Sequence, residues 1–136
     1  MKIKNPREVS PVEVTLKMIG GKYKGTIMWY LDHDGVLRYS QIRTRLPVVS
    51  NKVLTSQLRE MLEDGLIERT VYPEVPPRVE YSLTDFGASL SRLIDEMHTW
   101  GIRYVNSLPE TAAPITDKSR WCYSLEDSEE DEPKPE

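Results

Sequence analysis

Four polar side chains crowd the first turns of one predicted helix. Asn51, Lys52, Thr55 and Ser56 follow Ser50 in the segment VSNKVLTSQLREMLEDG. Amide, ammonium and hydroxyl groups of this kind meet base edges or phosphate oxygens, and a helix N-terminus itself favours phosphate. The same four residues would equally form an ordinary solvated helix face. Arg38, Ser40, Arg43 and Arg45 surround a shorter helix just upstream, where phosphate contact and surface ion pairing are both open to them. Arg78 stands next to Pro76 and Pro77. An arginine on a stiff loop suits a phosphate or a narrow minor groove, and the alternative is an ion pair with Glu74 or Glu80. Lys22 and Lys24 complete the candidate cations.

Other chemistry finds little support. His33 and His98 are far apart and neither has a second ligand at i+3 or i+4, so no metal site is expected and both read as surface or interface residues. The carboxylates do not pair with a nucleophile, a histidine or a glycine-rich phosphate loop, so the chain is not expected to be an enzyme and no cofactor is implied. Trp29, Tyr30, Trp100 and Tyr104 would suit a pocket for a small-molecule effector of unknown chemistry, but helical aromatics more often serve a core or a dimer interface. The single cysteine, Cys122, excludes an internal disulfide and a thiolate zinc cluster within one chain.

At 136 residues the chain fits one domain with spare length. No apolar run reaches the roughly 20 residues that span a bilayer, and the start MKIKNPREVSPVEV lacks the apolar stretch of a signal peptide. A cytoplasmic protein without membrane association is expected. The net charge of −4 conceals a division: residues 1–108 hold fifteen Lys/Arg against thirteen Asp/Glu, and residues 109–136 hold three against nine. A core of +2 thus precedes a tail of −6. Four prolines and the acidic run 126–132 predict a solvated tail, whose one apolar island is Trp121, Cys122, Tyr123 and Leu125. The expected organisation is a domain over 1–108 and an acidic, flexible tail over 109–136.

The elements that must position the candidate residues follow from caps and spacing. Ser10 caps a first helix that opens on Pro11 and stops at Gly20-Gly21. KYKGTIMWYLDHDG reads as a second helix with Ile27, Met28, Tyr30 and Leu31 inward, and residues 36–39 as a short extended piece. Ser40 is expected to cap the brief helix QIRTRL, which Pro47 stops. Ser50 caps the next, from Asn51 to about Asp64, with Val53, Leu54, Leu58, Met61 and Leu62 on one stripe and Asn51, Lys52, Thr55, Ser56 and Arg59 outward. LIERTVY and RVEYSL are strands around the tip Pro73-Glu74-Val75-Pro76-Pro77, which makes an antiparallel hairpin. Thr84 is expected to cap one long helix reaching about Ser107. The fold class is mainly α with a small β-hairpin (α+β). Two helices around a tight turn, followed at once by a hairpin, describe a winged helix-turn-helix, in which the second helix enters the major groove.

The segments GGKYKGTIMWYL, LRYSQIRTRLP, VSNKVLTSQLREMLEDGLIER and above all VYPEVPPRVEYSLTDFG resemble the HxlR-type winged-helix transcription regulators, over about residues 10–104. The resemblance implies a DNA-binding transcription regulator, a repressor before an activator, acting as a homodimer on a pseudo-palindromic operator in double-stranded DNA. It places the recognition helix at 50–64 and the wing at 72–79. DNA contact is then expected from Arg38, Ser40, Arg43, Ser50, Asn51, Lys52, Thr55, Ser56 and Arg78. The terminal helices would pair, with Val14, Leu90, Leu93, Ile94, Met97, Trp100 and Tyr104 at the dimer interface. Many redox-responding members carry a cysteine before the proline of the first helix; Ser10 stands there in this chain, and a hydroxyl cannot act as a thiol switch. The core charge of only +2 keeps open a winged-helix module that binds a protein instead of DNA. A second alternative keeps the DNA role and makes the tail an autoinhibitor that covers the basic face.

Overall fold

The computed structural model describes residues 3–109. The expectations about the acidic tail and Cys122 lie outside the described residues. By contact the chain divides into two units, the first reaching Ser91 and the second beginning at Arg92.

In the first unit a short 3-10 turn at Pro6–Glu8 precedes α1, Pro11–Ile19. The Ser10 hydroxyl oxygen accepts from the Glu13 amide at 3.1 Å, so the cap and the first-turn proline start the helix where the sequence places it. There follow α2 (Lys24–Asp34), β1 (Leu37–Arg38), α3 (Tyr39–Arg45), α4 (Asn51–Glu63), β2 (Ile67–Tyr72), β3 (Arg78–Leu83) and α5 (Asp85–Ala88). The short extended piece is a genuine third strand. It pairs antiparallel with β3 through Leu37↔Tyr81 and Arg38↔Glu80, giving the order β1-β3-β2. A mostly helical chain with this small sheet is the winged helix-turn-helix architecture read from the sequence.

Apolar side chains of α2, α3, α4 and the sheet region form the core. Ile27, Met28 and Leu31 of α2, Ile42 of α3, Leu54, Leu58 and Met61 of α4, and Leu66, Ile67 and Tyr81 are all buried. Gly65 ends α4 at φ +75°, a left-handed turn that other residues resist. Gly87 lies so close to the strand that a Cβ there would collide with the Leu66 carbonyl oxygen. The wing and α5 therefore hold a fixed relation to the end of α4.

Four details differ from the sequence reading. Ser40 does not cap α3; the helix begins at Tyr39, two residues before the expected start at Gln41, and the Arg38 amide donates to Gln41 Oε1 at 2.9 Å. Thr84 does act as a cap, accepting from the Gly87 amide at 3.0 Å, but of the four-residue α5 only. There the backbone tightens, with the Leu90 amide donating to the Gly87 carbonyl at 3.0 Å, and a separate helix starts at Ser91. On α4, Val53 is 40% exposed and Leu62 half-buried, because both sit at the edges of a stripe centred on Leu54, Leu58 and Met61. Tyr30, expected inward, is half-buried.

The helix α6, Ser91–Ser107, lies in the second unit from Arg92 onward. Ile94 and Ile102 are buried, whereas Leu93, Met97, Trp100 and Tyr104 are exposed at spacings of four, three and four. Those spacings put the exposed four on a single helical stripe. No helix among the described residues is long and apolar enough to cross a membrane.

Candidate nucleic-acid interface

The turn between α3 and α4 comprises residues 46–50 and is anchored from below. Leu46 and Val49 are buried, and the Val49 amide donates to the Leu46 carbonyl at 3.2 Å. Pro47, Val48 and Ser50 stay on the outside. The Ser50 hydroxyl oxygen accepts from the Val53 amide at 3.2 Å, which starts α4 and leaves its first turn projecting from the body. Ser50 thus serves as the cap, and its exposed hydroxyl keeps its own proton to donate.

Around that projecting turn Asn51, Lys52, Thr55, Ser56 and Arg59 are all exposed, opposite the buried Leu54, Leu58 and Met61. Tyr39 reaches across from α3 and donates its hydroxyl to Asn51 Oδ1 at 3.2 Å, tying the two helices together at the outer surface. The Asn51 amide nitrogen keeps its donors. Among the described residues Lys52 and Arg59 form no ion pair, so their charge is available to an anion. Arg59 lies seven positions after Lys52, two helical turns along the same face. Sequence patterning also turns Arg59 outward, yet it is absent from the DNA contacts that the resemblance implies.

The cations of α3 have other employment. Arg43 is half-buried and its Nη1 donates to the Leu46 carbonyl at 2.7 Å, which closes the C-terminus of the helix and pins the turn. Arg45 Nε contacts Asp34 Oδ2 at 2.7 Å and its Nη1 donates to the Gln41 carbonyl at 2.9 Å. Both are thus engaged with the protein itself. Ser40 is exposed within α3, and Arg38 is exposed on β1. They remain the two members of that group with a free outer surface.

Arg78 realises the ion pairs weighed from sequence, with both partners at once. Its Nη2 lies 3.5 Å from Glu74 Oε1, and its guanidinium sits 4.1 Å from the Tyr72 ring centre. Its Nε is 3.3 Å from Glu80 Oε1 outside hydrogen-bond geometry, so that contact is Coulombic. Charge and stacking thus lock the base of the wing. Residues 73–77 of the tip are all exposed.

Lys24 is only 5% exposed and cannot reach a duplex. Its Nζ lies 3.1 Å from Glu60 Oε2, joining α2 to the rear of α4, and Gln57 Nε2 donates to the same oxygen at 3.4 Å. Sequence reasoning had no means of finding this pair, since the partners are 36 positions apart. Lys24→Met should cost about 1–2 kcal/mol, less than a fully buried pair because Glu60 keeps some solvent, and lower Tm by roughly 5–10 °C. Adding Glu60→Leu should restore most of it, since an apolar pair replaces a buried ion pair at little cost. A thermal melt in which the single variant matches the parent would show that the pair contributes nothing.

The expected dimer residues divide. Leu93, Met97, Trp100 and Tyr104 share the exposed stripe of α6, and the Trp100 and Tyr104 rings stack at 5.4 Å with 8° between their planes. Ile94, by contrast, is only 5% exposed within the single chain. Leu90 and Val14 are half-buried. On α1 the exposed apolar pair is instead Val12 and Leu16, one turn apart.

A sequence model of the HxlR-like helix-turn-helix family matches residues 18–109. The uncharacterised HTH-type transcriptional regulator YdeP of Bacillus subtilis is 45% identical over 113 residues, which cover 82% of this chain and 88% of YdeP. An uncharacterised HTH-type transcriptional regulator of Methanothermobacter thermautotrophicus is 48% identical, over 68% of this chain and 70% of its own length. Among solved structures, the redox regulator HypR in its reduced form superimposes with a TM-score of 0.67 at 43% identity, over 73% of this chain and all of that one.

Proposed function

The chain belongs to the HxlR-like helix-turn-helix family and is a transcriptional regulator of the helix-turn-helix type; on that premise we propose that it binds double-stranded DNA as a homodimer. In this reading α4 enters the major groove, with Lys52 and Arg59 neutralising phosphates and Asn51, Thr55 and Ser56 meeting phosphates or base edges. Ser40 and Arg38 approach the backbone beside it. Ser50, Arg43 and Arg78 serve the interface indirectly, by setting the helix start, the turn and the wing. The observation that carries the reading is the face of α4: five exposed polar residues, two of them cations free of ion pairs among the described residues, opposite a fully buried apolar stripe.

The exposed stripe of α6 supports self-association, since a monomer gains nothing by leaving Leu93, Met97, Trp100 and Tyr104 in water. A two-fold dimer contacts half-sites about one helical turn apart, which makes the operator pseudo-palindromic. Repression is the simpler outcome, because a bound dimer occludes polymerase without further contacts. A DNA ligand places the protein in the cytoplasm. HypR is a redox regulator, but a thiol switch at Ser10 is ruled out here, because its hydroxyl oxygen caps α1 and cannot form a disulfide.

The test is binding of the purified protein to its own upstream DNA, and to duplexes selected from a random pool, across a salt series. A specific complex that weakens steeply with salt and protects two half-sites is expected. Absence of any complex at low salt would favour a protein-binding winged helix, a reading to which the neutralised Arg78 lends some support.

A further inference from the structure

We infer that Val53 is a specificity-determining residue that reads the 5-methyl group of a thymine in each half-site. The inference rests on the DNA-binding reading above and adds one base contact to it.

Val53 is the anomaly of α4. The apolar residues at Leu54, Leu58 and Met61 are between 0% and 2% exposed, but Val53, in the first turn, is 40% exposed. Its backbone amide is the one that the Ser50 cap receives, so its position at the projecting end of the helix is fixed by the cap itself. Its neighbours on the outer surface are Lys52 before it and Ser56 three residues on, both exposed. A β-branched residue has below-average helix propensity, and here its apolar surface is not fully recovered by the core. The edge of the core covers part of this valine and leaves the rest of its apolar surface, 40%, on the outer side of the helix.

The major groove supplies a partner of matching chemistry. Its edges carry donors and acceptors at every base pair and a single apolar group, the thymine methyl. A branched aliphatic side chain flanked by a cation and a hydroxyl fits a thymine whose neighbouring phosphate and base edge are met by Lys52 and Ser56. Val53 lies on one flank of the outward face, and Asn51 and Thr55 lie on the other, so the contact falls to one side of the polar readout. A phosphate-rich surface would give an exposed valine nothing.

The experiment uses the full chain and a duplex selected by it from a random pool, with each thymine replaced in turn by deoxyuridine, which removes only the methyl. At one thymine per half-site the replacement should weaken the parent complex by about fourfold per half-site, the effect of one buried methyl. Val53→Ala and Val53→Ser should bind the unmodified duplex correspondingly more weakly and lose their response to deoxyuridine at that position alone. Alanine has the higher helix propensity, so loss of folding does not confuse the result. If the deoxyuridine profile of both variants matches that of the parent at every thymine, Val53 does not read the methyl. If the pool yields no preferred duplex, the DNA-binding reading itself falls and takes this inference with it.

Discussion

Lys52→Ala is expected to weaken the specific complex by roughly ten- to a hundredfold near physiological salt, with little change in sequence preference. The ammonium sits on the outward face of the first turn of α4 and has no ion-pair partner among the described residues, so nothing within the fold competes for it. Each phosphate contact it makes releases counterions. Its loss should therefore lower the slope of log K against log salt by about 1 per subunit, or about 2 for the dimer. Arg78→Gln provides the contrast. Its cation is already balanced by Glu74 and Glu80 and stacked on Tyr72, so its removal should loosen the wing and leave the salt slope nearly unchanged. Equal slopes for Lys52→Ala and the parent, measured by titration at four or five salt concentrations, would remove Lys52 from the interface. Equal slope losses for both variants would mean that DNA breaks the wing ion pairs on binding.

The contrast between these two residues also marks what a sequence discloses. Local signals were legible: Ser10, Ser50 and Thr84 are caps because a hydroxyl three residues before an amide is a short-range geometry. The outward face of α4 was legible because a 3.6-residue period puts Asn51, Lys52, Thr55, Ser56 and Arg59 away from Leu54, Leu58 and Met61. The stripe's margins were not, since Val53 and Leu62 depend on which neighbours arrive from other elements. Nor could periodicity divide the helix expected after Thr84, where the tight bonding at Gly87–Leu90 ends α5 before Ser91 begins α6. Charge was the least legible. Arg38, Arg43, Arg45 and Lys24 look alike as letters, yet Lys24 is buried against Glu60, Arg43 holds a carbonyl, Arg45 holds Asp34, and Arg38 alone is open. Which cation faces a ligand is decided by tertiary distance, and no spacing rule records that.

Trp100→Asp and Leu93→Asp should convert the protein from dimer to monomer without unfolding it. Trp100 is 68% exposed and stacks on Tyr104, so in an isolated chain the substitution removes surface that water already reaches. In a two-fold dimer the same position occurs twice, and a tryptophan at the centre of an interface commonly contributes about 2 kcal/mol or more. Losing two such anchors, with a carboxylate placed in an apolar seam, should raise the dimer Kd by roughly a thousandfold or more. Ile94→Asp, from the buried side of the same helix, should behave differently. It places a charge in the interior of the chain, so its thermal melt should fall sharply and association should fail only as a consequence. Sedimentation equilibrium paired with melts at two protein concentrations separates the cases, because Tm depends on concentration only while a dimer is being lost. A monomeric, well-folded Trp100→Asp would also lose the pairing of half-sites and with it most of its operator affinity. A Trp100→Asp protein that stays dimeric at the parent's Kd would instead place the seam elsewhere, with the exposed Val12 and Leu16 of α1 as the next face to charge.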